Sequence, residues 1–375
     1  MNMVVKAIPS RLLFKLHPQK KIMGMFKMLK SVNTKEKWGL ICLLMIISVG
    51  ILVHMLPIFW NYKTDELGKE EDIYYLWIEG KRILLGENPY ARILMSNMRD
   101  NKKYATYFPF FYIMSYLTQL LGLNNYQDWI SFWRYIFLVF NLGVGLALFN
   151  YFYQKRLILI SIFSCIFWLF NRWNFYVTLV ADIDFIPIFF LLISLFVLRK
   201  RKWLSLIFFS ISLAIKQIGV FLIPLYLIWI WHSANKNKIK QLLIAIMVIS
   251  SIPLLTSIPF IIWSAESLVK SVLFSATRHP DSDFGAFSVD TYIASAIPQF
   301  IGLTAKLPML FMMSLIYLIA LKRQIEIKIA SLLVMIVFID FNSVLFNQYM
   351  CWVVPLIPLA ITAGNKENYV KRESP

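Results

Sequence analysis

The sequence predicts an all-α integral membrane protein with about ten transmembrane helices and further interfacial helices in its outer loops. Hydrophobic residues make up 59% of the 375 residues and charged residues only 15%, whereas soluble domains are about half apolar and a quarter charged. Apolar runs of roughly 20 residues recur along the chain, as membrane-spanning helices require. The alternating pattern of a membrane β-barrel is missing, so the spans are expected to be helical.

The net charge of +18 is spread over short basic segments between the apolar runs and does not form one patch. Such a distribution sets membrane topology and argues against nucleic-acid binding. The three cysteines lie inside apolar runs, and the four histidines show no metal-ligand spacing. The glycines form neither a GxGxxG motif nor a P-loop. We therefore expect no cofactor and no metal ligands, with a role for a divalent metal left open.

The charge pattern divides the chain into three regions. Residues 1–37 form a basic tail, 38–363 a single transmembrane domain and 364–375 a second tail. Both tails are expected on the cytoplasmic side of the cell (plasma) membrane, because basic segments stay inside. The N-terminal tail has two open interpretations, a basic amphipathic helix on the inner leaflet or an unstructured positive tail that fixes orientation.

Ten spans follow from the apolar runs and the positive-inside rule. They are 38–60, 128–150, 157–170, 175–198, 203–216, 219–231, 241–263, 307–321, 327–341 and 348–363. This register puts the basic loops (154–156, 199–202, 236–240 and 322–328) inside. It puts the longer loops 61–128 and 264–306 outside, where most of the acidic residues lie.

The apolar run 107–121 has two interpretations. As a full span it would reverse the orientation of the chain after it and place the basic loops 154–156 and 199–202 outside. As a helix lying in the outer interface it keeps them inside, where the positive-inside rule expects them. We therefore prefer an interfacial helix here, and we expect a second one near 289–300.

The outer loop 61–128 contains the most polar stretch of the chain, Lys69-Glu-Glu-Asp72. After it, apolar residues from Ile73 to Leu84 follow helical spacing with Gly80 on the same face, while Glu79 points elsewhere. This pattern predicts an amphipathic helix on the membrane surface. Gly86 is expected to end the helix, followed by a turn at Asn88-Pro89.

Asp72 is the candidate catalytic carboxylate, because a general base must accept a proton from an attacking hydroxyl. Glu70 and Glu71 are its nearest competitors. The alternative is structural, since an acid at a helix N-terminus interacts favourably with the helix dipole.

Asp182 and Asp184 are predicted at the outer end of the span 175–198, where charges are costly and often functional. The sequence Asp182-Ile-Asp184 resembles a metal-binding DxD motif, but residues two apart on a helix do not face each other. One of them is expected to face a cavity while the other caps the helix or pairs with Arg172. Lys216-Gln217 ends an outward span, where the lysine either reaches the interface or meets a lipid phosphate.

Two further polar groups lie on the outer side. Arg278-His279 offers a guanidinium that matches phosphate oxygens, or simply a solvated loop charge. A group of amide and aromatic side chains between residues 342 and 352 either binds a sugar or belongs to the aromatic belt, and the belt is the preferred interpretation for Trp352. Its members are Asn342, Asn347, Gln348, Tyr349 and Trp352.

Taken together, these motifs resemble the C-type (GT-C) multi-spanning membrane glycosyltransferases, most closely the polyprenol-phosphate-mannose-dependent mannosyltransferases. The resemblance rests on an acid soon after the first span and on four short motifs, in an order and spacing that extend over nearly the whole chain. The motifs are Leu-Leu-Gly86-Glu-Asn-Pro-Tyr90, Tyr107-Phe-Pro109, Ala-Ile-Lys216-Gln217 and Gln348-Tyr-x-x-Trp352-x-x-Pro355.

The resemblance implies a GT-C-like fold whose loop 61–128 is catalytic. It also implies an inverting transfer of a hexose such as mannose from a polyprenyl-phosphate donor to a glycolipid, glycan or protein acceptor. Asp72 matches the family's first-loop catalytic acid, and Lys216 and Arg278 become candidates for the donor phosphate. The predicted substrate-binding residues are Tyr74, Tyr75, Tyr90, Tyr107, Asp182, Asp184, Lys216, Gln217, Arg278, His279, Gln348 and Tyr349.

Two other classes compete with the enzyme. A flippase that moves a lipid-linked sugar would show inverted repeats and polar residues near the middle of the membrane. Here no repeat is evident and the polar residues gather on one side, which favours an enzyme that works at the outer face. A membrane scaffold without activity is the third option.

Overall fold

The computed structural model describes residues 34–59, 72–95, 105–277, 288–297, 299, 304–342 and 345–372. The first 33 residues, Glu70, Glu71, Arg278 and His279 therefore lie outside the described residues, and the predictions made for them stay predictions.

The described chain is built from helices joined by turns. The α-helices are α1 (Thr34–Phe59), α2 (Asp72–Leu84), α3 (Phe110–Leu120), α4 (Tyr126–Tyr153), α5 (Ile158–Leu169), α6 (Arg172–Val180), α7 (Phe185–Val197), α8 (Lys202–Ile215), α9 (Ile223–Ser233), α10 (Lys238–Thr277), α11 (Val289–Ala296), α12 (Leu307–Leu321), α13 (Ile327–Asp340), α14 (Asn347–Val353) and α15 (Leu356–Arg372). Short 3-10 helices lie at Ala91–Leu94, Gln217–Leu222 and Thr304–Lys306. The prediction of an all-α protein is confirmed for these residues.

Four of these helices are long and apolar enough to cross a membrane, at Lys37–Phe59, Tyr126–Tyr153, Lys238–Phe274 and Thr304–Leu321. A fifth span results if α5 and α6, which are bent by 43° at their break, are counted together. The chain is thus a multi-pass membrane protein. The count of ten spans stays a prediction, because the other apolar helices are shorter.

The predicted span 175–198 is not one helix. It is divided into α6 and α7, and the residues between them, Ala181 to Asp184, form a turn. Ala181 adopts the left-handed conformation (φ 55°) that ends many helices. Pro187 lies in the first turn of α7, where proline is tolerated because the missing N–H would have no helical partner. The predicted span 348–363 is likewise divided into α14 and α15.

The amphipathic helix predicted in the outer loop is present as α2, and Asp72 is its first residue. Its apolar face does not lie on the membrane surface as predicted, because Ile73, Leu76 and Gly80 are buried within the protein. Gly86 follows α2 with φ 77°, as expected for a residue that ends a helix. The next helix, α3, has 11 residues, or roughly 16 Å at about 1.5 Å per residue, and cannot cross a hydrocarbon core about 30 Å thick. Its length agrees with the interfacial interpretation of the run 107–121.

The basic loops lie together at one end of the helices. Arg199 in the loop after α7 contacts Glu326 before α13 at 2.8 Å. Arg323 in the loop after α12 donates to Nδ1 of His232 at the end of α9 at 3.1 Å. These contacts place basic loops that are distant in sequence on the same face of the protein, as the positive-inside register requires.

Gly80 is the point of closest approach between α2 and α3. A Cβ atom at this position would lie 2.3 Å from the Ser115 hydroxyl and 2.9 Å from the Gln119 amide. The Gln119 amide donates to the carbonyl of Trp77 at 2.9 Å, so it also holds the two helices together.

We expect Gly80→Ala to lower the thermal unfolding midpoint. Overpacking of a tight core costs about 1–3 kcal/mol, which exceeds the gain of up to about 1 kcal/mol in helix propensity. Gly364→Ala is the matched control, since a Cβ at Gly364 meets nothing within 4 Å. Scanning fluorimetry in detergent measures both variants, and equal midpoints would contradict the packing described here.

Candidate active site

The site is centred on a buried group of three charges at the end of the helices opposite the basic loops. The Lys216 ammonium lies 2.7 Å from a carboxylate oxygen of Asp184 and 3.5 Å from one of Asp182. Lys216 is only 1% exposed and Asp184 is fully buried. Breaking such a buried pair leaves an uncompensated charge in a medium of low polarity, so the three groups depend on one another.

The turn between α6 and α7 brings the two carboxylates together. The prediction that Asp182 and Asp184 would face different directions was wrong, because it assumed a helix that is absent here. In the turn both side chains reach the same ammonium group. Pro187 was the sequence signal for this break, since it marks the first turn of a new helix.

The backbone and side chain of Lys216 are also held in a defined position. Lys216 is the residue at which α8 ends, and its backbone is extended (φ −149°, ψ 118°) before the 3-10 helix Gln217–Leu222 begins. Its side chain does not extend to the interface, which was one of the two open interpretations. Its charge is instead shared between the two carboxylates.

Trp352 also belongs to the site, although the sequence favoured the aromatic belt for it. Its side chain is fully buried, and its indole N–H donates to the second oxygen of the Asp184 carboxylate at 2.5 Å. Both oxygens of Asp184 are therefore bonded, one to Lys216 and one to Trp352. This arrangement fixes the plane of the carboxylate.

Tyr107 lies against the same group from the outer loop, with the Lys216 ammonium 5.5 Å from the centre of its ring, and Asp72 lies within electrostatic reach of it. Burial raises the pKa of the Tyr107 phenol well above its usual value, and the Lys216 ammonium opposes this rise. The carboxylates of Asp72 and Asp182 add to the rise, as does Tyr349. Asp72 also acts electrostatically on Asp182. The structure thus places a partly buried Asp72 within electrostatic reach of the buried charges.

Hydrogen bonds from the Asn88-Pro89-Tyr90 turn and from Tyr112 hold the backbone of Tyr107 in place. The fully buried Tyr90 donates its hydroxyl to the Tyr107 carbonyl at 2.8 Å. The Asn88 side chain accepts from the Tyr90 amide at 3.0 Å and so closes the turn. The Tyr112 hydroxyl accepts from the Tyr107 amide at 3.3 Å. These contacts fix the backbone of Tyr107 in the outer loop.

The other predicted binding residues are divided between the site and its surroundings. Gln217 donates to the Thr106 carbonyl at 2.6 Å and links the 3-10 helix Gln217–Leu222 to the outer loop. Tyr349 lies within electrostatic reach of Tyr107, and its neighbour Gln348 in α14 is buried. Tyr74 and Tyr75 are neighbouring rings of α2 5.9 Å apart.

Glu79 corrects a second prediction, since it does not point away from the protein. It is 1% exposed, and it pairs with Arg82 at 3.3 Å and with Arg92. Burial raises the pKa of Glu79, while Arg92 and then Arg82 oppose the rise. The Arg92 contact joins α2 to the 3-10 helix Ala91–Leu94 and so fixes the shape of the outer loop.

The site brings the carboxyl groups of Asp182 and Asp184 to the Lys216 ammonium, with Asp72 within electrostatic reach. Within the described ranges, no three His, Cys, Asp or Glu side chains are arranged to hold a metal ion. The expectation about cofactors and metals stays a prediction. Chemically, the arrangement offers carboxylates that can accept a proton beside a rigid, buried hydrogen-bonded framework.

Comparisons with known proteins give the family of the chain. The sequence profile of the family "Mannosyltransferase (PIG-M)" matches residues 180–370, a range that contains Asp182, Asp184, Lys216 and Trp352. GPI mannosyltransferase 1 of Kluyveromyces lactis is 24% identical over 289 residues, which cover 73% of this chain and 67% of that protein. GPI mannosyltransferase 1 of Saccharomyces cerevisiae is 24% identical over 216 residues, or 56% of this chain and 48% of that protein.

No solved structure matches the chain. The family profile covers half of the chain, and the resemblance to C-type membrane glycosyltransferases that the motifs indicated is confirmed. The chain belongs to the PIG-M mannosyltransferase family.

Proposed function

We propose that the protein transfers mannose from a polyprenyl-phosphate donor to a hydroxyl of a glycolipid or glycan acceptor at the outer face of the membrane. The family supports mannosyl transfer. The observation that carries the proposal is that Asp72 lies within electrostatic reach of the buried group of Asp182, Asp184 and Lys216. The relatives are named for GPI, which favours a glycolipid acceptor.

In the proposed reaction the acceptor hydroxyl attacks the anomeric carbon of the donor in a single displacement. A bond forms between the acceptor oxygen and the anomeric carbon, and the bond from that carbon to the phosphate oxygen breaks. Asp72 accepts the hydroxyl proton, and polyprenyl phosphate leaves with the bonding electrons. One displacement inverts the configuration at the anomeric carbon.

Lys216 has a positioning role in this proposal. Its ammonium is shared by two carboxylates and is almost completely buried, so most of its charge is already compensated. The negative charge on the departing phosphate needs a cation, because such stabilisation is commonly worth several kcal/mol. We assign this role to Arg278, whose guanidinium suits phosphate oxygens.

The donor class is tested with the purified full-length protein in phosphatidylcholine vesicles. Polyprenyl-phosphate [³H]mannose and GDP-[³H]mannose are supplied in separate samples, each with a lipid extract and alkyl hexosides as acceptors. We expect labelled product from the lipid donor only. Product from the nucleotide donor alone would contradict the donor assignment, and movement of the label between leaflets without transfer would indicate a flippase.

A further inference from the structure

A cavity lies at the end of the helices opposite the candidate active site. It has a volume of about 480 Å³ and lies between the ends of α4, α7, α13 and α15. The cavity residue Arg199 follows Asp184 by 15 positions along α7 and its flanks, which corresponds to roughly 20 Å at about 1.5 Å per residue. The cavity is thus separate from the site of mannose transfer, and its volume is in the range of ligand sites, about 300–1,000 Å³.

The charged groups of this basic cavity are mostly cations. Its lining includes Lys155, Arg199, Lys200 and Lys328 but a single acid, Glu326. Glu326 accepts from Arg199 at 2.8 Å and lies 3.5 Å from the Lys328 ammonium. One carboxylate therefore serves two cations, and the cavity keeps an excess of positive charge.

Tyr151 brings two of the cations to one point. The Lys155 ammonium lies 3.7 Å from the centre of its ring, and the Lys328 ammonium donates to its hydroxyl. The ring stacks on Phe196 at 4.3 Å with an angle of 13° between the rings, so its position is fixed. The ammonium groups of Lys155 and Lys328 are thus both held at one aromatic ring in the cavity wall, where they repel each other. An anion bound there would offset this repulsion.

The remaining lining is suited to a lipid. Apolar side chains, including Ala147, Ile193 and Leu198, line the cavity beside the cations. Basic pockets between transmembrane helices are known to bind phosphate-bearing lipid head groups. An arginine next to lysines is also the usual donor set for phosphate oxygens.

We propose that this basic cavity binds a phosphate-bearing ligand at the face opposite the mannose-transfer site. The recognised group is a phosphate, held by Arg199 and Lys328 with Lys155 and Lys200 adding charge. A membrane phospholipid and a soluble phosphate ester share this chemistry.

Thermal unfolding of the purified full-length protein in a neutral detergent tests the proposal. The added probes are dioctanoyl phosphatidic acid, dioctanoylglycerol with the same chains but no phosphate, and inorganic phosphate. The double variant R199Q/K328Q keeps polar side chains but removes two cations of the cavity. K236Q/K322Q is the matched control, because it removes two exposed positive charges outside the cavity lining.

We expect phosphatidic acid, but not dioctanoylglycerol, to raise the unfolding midpoint of the wild type and of K236Q/K322Q. In R199Q/K328Q the apparent dissociation constant should rise at least about tenfold, since two charge-assisted contacts are lost. Equal stabilisation by inorganic phosphate identifies a soluble phosphate ester as the ligand class, and no effect of phosphate identifies the lipid. Equal binding by both double variants, or equal effects of the two lipids, would overturn the proposal.

Discussion

Replacing Asp72 with Asn is expected to lower the rate of mannosyl transfer by about 10²- to 10⁴-fold, the usual contribution of a general base. The amide keeps the size of the side chain and its place at the start of α2, but it cannot accept the hydroxyl proton. The loss should appear in the rate at saturating donor and acceptor. Radiolabelled product per unit of protein in membrane vesicles measures it.

Asp128→Asn is the matched control for this variant. Asp128 is an exposed acid in the first turn of α4 and lies in the same outer loop region, so it reports any general effect of removing a negative charge. Full activity of Asp72→Asn would remove Asp72 from the mechanism. If Glu70→Gln or Glu71→Gln then lost activity, the base would be one of these competitors.

Replacing Lys216 with Met should have the largest effect on stability. The methionine fills a similar volume but leaves Asp182 and Asp184 buried without their shared cation. Removing one partner of a buried ion pair costs about 3–5 kcal/mol. We expect a clearly lower unfolding midpoint in detergent, whereas Lys322→Met, at an exposed position in a basic loop, should leave the midpoint almost unchanged.

The pH dependence of the stability distinguishes loss of the shared cation from a simple loss of packing. In Lys216→Met the folded protein must either bury charged carboxylates or bind protons, so its stability deficit should shrink as the pH is lowered. The second change in K216M/D184N removes one of the two negative charges and should recover part of the loss. A deficit that is the same at pH 5 and pH 8 would show that the charges are not its cause.

Local features of the fold were predictable because their causes are local. The helix Asp72–Leu84 follows from apolar residues at helical spacing, and its end follows from Gly86, which takes a positive φ. The glycine on its apolar face was visible in the sequence, but the contact that Gly80 makes with α3 was not, since that face was expected to lie on the membrane. The choice between an interfacial helix and a span at 107–121 required the charge pattern of the whole chain.

The arrangement of the site could not be derived in the same way. Asp184 and Trp352 are 168 positions apart, and the sequence contains no local signal that one donates to the other. The apolar run around Asp182 concealed a break for which Pro187 was the only indication. Helical spacing placed Glu79 away from the apolar face of α2, and it could not show that Arg92 from a different element pairs with it.

The most direct test of the central claim separates donor binding from transfer in one sample. Purified wild type and Asp72→Asn are placed in identical nanodiscs with polyprenyl-phosphate [³H]mannose, and bound donor and product are quantified side by side. We predict equal donor binding within about twofold, with transfer by Asp72→Asn reduced to about 1% or less, as loss of a general base requires. Equal transfer by the two proteins would contradict the assignment of Asp72 as the base of this mannosyltransferase.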